Sequence, residues 1–309
     1  MHKIHLDTDL GGDIDDLCAL AMLLRWEGVE LTGITTVAEA HGRRAGYARY
    51  VLGLEGKSDI PVAAGADVSG GFYRYPELGY PDEQRYWPEP IVPSPNILNE
   101  ALALLKQSIE QSATIIAIGP FTNLFLLDLK YPGVLTQANL FLMGGYVFPI
   151  RTGFPQWGNN MDWNIQVDVR SAKYVIDHSN PTLIPLSVTV ETELRRAYLQ
   201  ELMEAGQLGQ LIARQAEAFA TDQQNETNYG ESCKGLPEDI INFQHDALAC
   251  AIALGWRDGV EMEEFPLLTE EQDGWLVERI DPSGKPVRVV TRINGQGFNE
   301  FWLRKIAKG

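Results

Sequence analysis

The chain has 309 residues, 45% of them hydrophobic, with 29 glycines and a formal net charge of −17. That length suits one large domain or two small ones, and the composition is that of a globular α/β protein. The acidity, with no basic patch, argues against nucleic acid and anionic membrane as partners, and no apolar run reaches the length of a membrane span.

Ile4 to Leu6 form a short apolar strand. It leads into Asp7-Thr8-Asp9-Leu10-Gly11-Gly12-Asp13-Ile14-Asp15-Asp16, five carboxylates in ten residues, and then into an apolar helix over Leu17 to Leu24. The pattern is strand, glycine-bearing turn, helix. Crowded carboxylates repel one another, a cost that falls only if a cation neutralises them or they stand open to water. Hard oxygen ligands suit Ca²⁺ or Mg²⁺. A helix N-terminus also favours acids, but that accounts for Asp15 and Asp16 alone. An EF-hand loop is excluded because its closing glutamate position is Cys18. A phosphatase of the haloacid dehalogenase type is excluded because Gly11 stands where that motif needs Thr or Val.

Val29 to Val37 reads as a β-branched strand, His41 to Leu54 as a helix with a basic side at Arg43, Arg44 and Arg49, and Ile60 to Ala64 as a short strand. This βαβαβ order predicts a parallel sheet covered by helices. Gly65 to Pro95 is a proline-rich loop carrying Tyr73, Tyr75, Tyr80, Tyr86 and Trp87. It reads equally as a binding loop or as a packed surface and oligomer contact. Asn96 to Glu110 is predicted as a helix with Asn96 as N-cap, Ala113 to Ile118 as a strand, Gly119 to Leu124 as a turn into another helix, and Asn139 to Met143 as a strand ending at Gly144-Gly145.

A second loop spans Tyr146 to Trp163. Val169 to His178 reads as a helix, Leu183 to Val190 as a strand, and Glu193 to Ala205 and Gln207 to Thr221 as helices. Thr221 to Gly235 is polar, and Leu236 to Leu254 reads as one helix containing His245-Asp246. Short strands follow over Trp275 to Ile280 and Val287 to Ile293 around a turn at Pro282-Ser283-Gly284, and Phe298 to Ile306 closes as a helix. No repeat or linker divides the chain, so residues 1–309 are expected to form a single domain. The expected fold is an open, mostly parallel central sheet flanked by helices, Rossmann-like, with small C-terminal antiparallel strands. Three sparse cysteines, Cys18, Cys233 and Cys250, and a strand that begins almost at Met1 point to the cytoplasm.

Ligands of open α/β sheets gather at the carboxyl ends of the strands. The acid cluster, Ile118-Gly119-Pro120, Met143-Gly144-Gly145 and His245-Asp246 all fall there by this reading. Singly, each has an ordinary explanation: Gly119-Pro120 as a turn, His245-Asp246 as a partly buried pair.

Together the motifs resemble the inosine–uridine-preferring nucleoside hydrolase family. Asp7-Thr8-Asp9 with Asp15-Asp16 is similar to its N-terminal signature, with two more residues between the acid pairs than the commonest form. Gly119-Pro120-Phe121-Thr122-Asn123, Met143-Gly144-Gly145, Asp162-Trp163-Asn164 with Asp168, Pro185-Leu186-Ser187-Val188-Thr189, and His245-Asp246-Ala247 follow in family order. The resemblance implies hydrolysis of the N-glycosidic bond of ribonucleosides at a Ca²⁺ site. Asp9, Asp16 and Asp246 would supply carboxylates to the ion and Ile118 its backbone carbonyl. Asp9 would be the general base for a water activated by Ca²⁺. Asp15 and Asn164 would grip ribose hydroxyls, Asp162 with Asn160 the 5′-hydroxyl, and Met143 would pack under the sugar. His245 would face the base as the candidate acid, with Trp163, Tyr229 and the loop aromatics as a stacking wall.

Two departures stand out: Asp162 replaces the family's usual Glu, and Glu39 or His41 occupies the neighbourhood where a ribose-holding Asn is expected. The resemblance also implies a homodimer or homotetramer. The alternatives are a hydrolase of another N-riboside and a non-catalytic Ca²⁺-dependent sugar binder.

Overall fold

In the computed structural model, residues 1–67, 83–95 and 97–308 are described. Tyr73, Tyr75, Tyr80 and the Asn96 cap of the sequence reading lie outside them. The strands are β1 (His2–Thr8), β2 (Val29–Thr36), β3 (Val62–Ala64), β4 (Thr114–Ala117), β5 (Asn139–Met143), β6 (Thr182–Ile184), β7 (Glu193–Arg195), β8 (Ile240–Phe243), β9 (Glu261–Gln272), β10 (Trp275–Ile280) and β11 (Lys285–Arg292). Nine of them make one sheet in the order β10-β9-β11-β6-β5-β4-β1-β2-β3, while β7 and β8 pair separately. From β3 across to β11 every pairing is parallel; β9 is antiparallel to both β11 and β10. The middle strands β4, β5 and β6 are short, largely apolar and almost wholly buried, as expected of parallel strands covered on both faces.

The chain starts mid-sheet. From β1 it winds outward to β2 and β3, then returns to β4 on the other side and winds on to β5 and β6. The order therefore reverses between β1 and β4, and a cleft opens there at the strands' carboxyl ends. Asp9 leaves β1 and Ile118 leaves β4 on the two sides of that cleft, joined by the Ile118 N–H donating to the Asp7 carbonyl at 2.8 Å. The first helix, α1 (Asp15–Leu24), has all ten residues buried. It packs against the helix His245–Ala253, whose face over Ala247 to Ile252 is fully buried. The side-by-side packing of these two helices brings the chain's ends together.

Three predicted elements differ from the sequence reading, and the strand β9 was not predicted. Leu183 to Val190 is not one strand: β6 ends at Ile184, and Pro185, which has no N–H for a ladder, opens a short helix at Leu186–Thr189. Leu236 to Leu254 is not one helix but β8 followed at Gln244 by the helix His245–Ala253. Glu193 to Ala205 begins as β7 and turns helical only at Arg196.

Candidate active site

The carboxylates meet at the cleft. Asp15 and Asp16 lie in the first turn of α1, and Asp246 lies in the first turn of its neighbouring helix. One carboxylate oxygen from each lies within 4.8 Å of the other two. All three side chains are buried, and burial pushes each well above the usual carboxylate range, with the neighbouring acids raising it further. Asp9 is also buried and raised by burial; the Arg44 charge and a hydrogen bond from Trp163 oppose that rise. Gly119 is needed for Asp9 to sit here. A Cβ on it would lie 2.8 Å from Asp9 Oδ1 and 2.9 Å from its backbone nitrogen.

Thr8 donates its hydroxyl to Asp16. Asp13, in the longer turn, accepts from the Ile14 and Asp15 amides and from Asn242 Nδ2 at 2.5 Å, and it faces the cavity. Asp13 therefore holds the amides that lead into α1 on one side and borders the site on the other; burial raises it to about 6.

The acids floor a cavity of about 500 Å³ that is also lined by Arg44, Ile118, Met143, Asp162, Trp163 and Asn164. Asn164 Nδ2 donates to the Ile118 carbonyl at 2.9 Å and to the Met143 carbonyl at 3.2 Å. Asp162 caps the short helix Trp163–Gln166 through the Ile165 N–H at 3.2 Å and accepts the Gly145 N–H at 2.5 Å. Burial raises it to about 6. The far wall is aromatic. Trp157, Tyr229 and Phe243 meet edge to face at 5.1 to 5.7 Å, and the His245 ring stacks on Phe243 at 5.4 Å. His245 Nδ1 lies 2.7 Å from Thr189 Oγ1, and burial lowers this ring to about 4.

Among the residues singled out from sequence, Asp9, Asp15, Asp16, Ile118, Met143, Asp162, Trp163, Asn164, Tyr229, His245 and Asp246 all border the cavity. Asn160 does not: it is exposed, and the neighbouring Asn159 turns away to the Leu276 carbonyl at 2.9 Å. Neither Glu39 nor His41 takes the missing Asn's place. Glu39 is fully buried and binds the Arg44 and Ala45 amides at 3.2 and 2.8 Å, while His41 is exposed. Tyr86 and Trp87 are buried against the chain's own core, so they are not contact surface for another copy. The sequence reading missed Arg44, Trp157, Phe219, Gln223, Asn225, Asn242 and Phe243, all of which line the cavity. Arg44 had a signal. It shares a helical face with Tyr47, Ala48, Val51 and Leu52, and a charge at an apolar-face position calls for a partner.

Residues 4–300 match the family model of the inosine-uridine preferring nucleoside hydrolases. The chain belongs to that family. It is similar to the non-specific ribonucleoside hydrolase RihC of Salmonella paratyphi A, at 30% identity over 227 residues, 68% of this chain and 69% of that one. It is also similar to the pyrimidine-specific ribonucleoside hydrolase RihA of Klebsiella pneumoniae, at 27% identity over 214 residues, 66% of each chain. The match thus spans about two thirds of these relatives' lengths. The fold is shared with a purine-preferring ribonucleoside hydrolase from Gardnerella vaginalis, with a TM-score of 0.80, 20% identity and 99% and 98% of the two chains covered. It is shared as well with an inosine-uridine preferring nucleoside hydrolase from Bacillus anthracis, with a TM-score of 0.71, 20% identity and full coverage of both. The parallel sheet with its antiparallel C-terminal strands is therefore the nucleoside hydrolase fold.

Proposed function

We propose that this enzyme hydrolyses ribonucleosides to base and ribose with a water activated at a Ca²⁺ site. Ribonucleoside N-glycosidic hydrolysis is the activity its family assigns; the ion and the residue roles are our reading. The observation that carries it is the convergence of Asp15, Asp16 and Asp246, from opposite ends of the chain, within 4.8 Å at the floor of the cavity. Buried carboxylates brought this close need a cation, and hard oxygen donors with no cysteine or histidine among them fit Ca²⁺.

Asp9, Asp16, Asp246 and the Ile118 carbonyl would hold the ion, with Asp15 close enough to join them. When bound, Ca²⁺ lowers the pKa of a water and orients it. Asp9 accepts the proton of the attacking water. The acids around the ribose favour the positive charge that develops on the sugar as the glycosidic bond breaks. Asp15 and the Asn164 side chain face the ribose, and Met143 packs beneath it. Asp162, already spending hydrogen bonds on Gly145 and Ile165, presents its remaining acceptor capacity toward the 5′-hydroxyl. The aromatic wall takes the base.

Release of ribose from inosine and uridine, measured with and without chelator, tests the proposal. Equal rates in metal-free and Ca²⁺-restored protein would sink the ion, and no release from any ribonucleoside would sink the substrate class. A homo-oligomer and a cytoplasmic setting remain part of this reading. So does a single domain over residues 1–309, supported by one sheet that takes strands from both ends of the chain. Among the described residues no helix is long and apolar enough to cross a membrane.

A further inference from the structure

Arg44 is 2% exposed yet lines the active-site cavity. Its Nε donates to the Ala38 carbonyl at 2.8 Å; its Nη1 donates to the Leu10 carbonyl at 3.2 Å and also to the Asp9 carbonyl. Arg44 thus joins two separate bends. One is the strand end that carries Asp9. The other follows β2 at Ala38, a non-glycine residue with φ of 49°. The helix that presents it, α2 (Arg43–Leu54), is itself fastened to the second bend, because Glu39 accepts the Ala40, Arg44 and Ala45 amides.

One helical turn further along α2, Tyr47 lies under the acid turn. Gly11 has φ of +103°, and a Cβ there would come within 2.5 Å of the Tyr47 ring. The long turn between the two acid pairs therefore rests on one face of α2, with Arg44 and Tyr47 as its two supports. Trp87 stacks behind Tyr47 at 4.3 Å.

We propose that Arg44 is a positioning residue for the metal site, fixing the backbone at Asp9 so that its carboxylate meets the ion and the attacking water. The chemistry needs a guanidinium. Carbonyls at different angles are reached by a planar fork with five donors, which a lysine's single ammonium cannot reproduce. A buried cation is tolerated here because the cavity is floored by acids. Two roles make opposite predictions. A mere counter-ion repels Ca²⁺, so its removal should tighten metal binding, and lysine should replace it. A positioning residue orders a ligand, so its removal should weaken metal binding, and lysine should fail.

The inference rests on the Ca²⁺ reading above. The test is a calorimetric Ca²⁺ titration of the wild type, Arg44→Lys and Arg44→Met, alongside kcat and KM on inosine at saturating Ca²⁺. Both variants should raise the Ca²⁺ Kd by about tenfold to a hundredfold, the scale for residues that orient metal ligands. Both should lower kcat more than they raise KM. An Arg44→Lys protein with wild-type Kd and kcat would overturn the proposal, as would an Arg44→Met protein that binds Ca²⁺ more tightly. Should Arg44→Met fail to fold, Arg44→Lys, which keeps the charge, carries the decision. Wild-type protein that binds no Ca²⁺ would overturn the metal reading and this inference with it. Wild-type binding with unchanged variants would overturn this inference alone.

Discussion

The side-chain amide of Asn164 lies 2.9 Å from the Ile118 carbonyl oxygen, with the Met143 carbonyl 3.2 Å away on the same nitrogen. Asn164 thus clasps the ends of two adjacent strands, and it holds in place a carbonyl whose second lone pair is available to a cation. Asn164→Asp would set a carboxylate against two carbonyl oxygens. We expect kcat/KM on inosine to fall by roughly a hundredfold and Ca²⁺ binding to weaken by about tenfold. Steady-state kinetics and a Ca²⁺ titration check this. A variant within threefold of wild type on both would show that the clasp is dispensable.

The acid cluster makes the metal-free protein less stable than its packing allows, since burial and then the charges of Asp15, Asp16 and Asp9 all raise Asp246. Asp246→Asn removes one charge from that group. In chelator it should melt higher than the wild type. In Ca²⁺ the order should reverse, because ligand at a hundred times its Kd adds about 2.7 kcal/mol to the wild type alone. That is a rise of about 4 °C for a chain this size. Calorimetric melts in the two buffers are the measurement. An Asp246→Asn protein that melts lower than wild type in chelator would contradict the repulsion argument.

What the sequence exposed, and what it hid, follows from how local each feature is. Four of the acids that floor the cavity or border it lie within Asp9 to Asp16, and β4 and β5 are largely apolar runs, so both were legible. β8 was hidden because Ile240 to Phe243 and the helix from His245 are both buried and apolar, with only Gln244 between them and no glycine or proline to mark the break. That neither Asn159 nor Asn160 enters the cavity could not be read from sequence, because Asn159 is drawn to the Leu276 carbonyl more than a hundred residues away. Arg44 stands beside Arg43 on the basic side of its helix and at the same time on the apolar face with Tyr47 and Val51, so sequence alone leaves its direction open; the packing of α2 under the acid turn turns it inward.

Glu278 is buried on β10, with one carboxylate oxygen lacking a partner and the other 3.4 Å from the Tyr146 N–H. Burial, and after it the Asp162 charge, pushes it up to about 8. A folded-state pKa above the unfolded one means the folded protein favours the protonated form. Its stabilising contribution is present below about pH 4.5 and is lost as pH rises toward 8. Glu278→Gln keeps the shape without the charge. Its melting temperature relative to wild type should be near zero at about pH 5 and rise by about 2 °C or more at about pH 8. A difference that does not change with pH would show that Glu278 ionises freely in the folded protein.

His245 carries the last prediction, which concerns the leaving base. Its ring stacks on Phe243 beside the aromatic wall, and burial lowers it to about 4, so it is neutral near pH 7. A neutral imidazole helps a departing base only by donating from the nitrogen that faces the cavity. With Nδ1 2.7 Å from the Thr189 hydroxyl, that requires Thr189 to donate to Nδ1 and leave the proton on Nε2. His245→Ala should then lose about a hundredfold on inosine, the scale of acid–base assistance. It should lose little on a nitrophenyl riboside, whose leaving group departs unaided. Thr189→Val, which removes the hydroxyl that selects the tautomer, should lose a smaller factor with the same dependence on leaving group. Equal losses on the two substrates would make His245 a residue that positions the base without supplying a proton. A wild-type loss of rate centred near pH 6.5 that vanishes in His245→Ala would show the ring titrating at its ordinary value, against the burial argument.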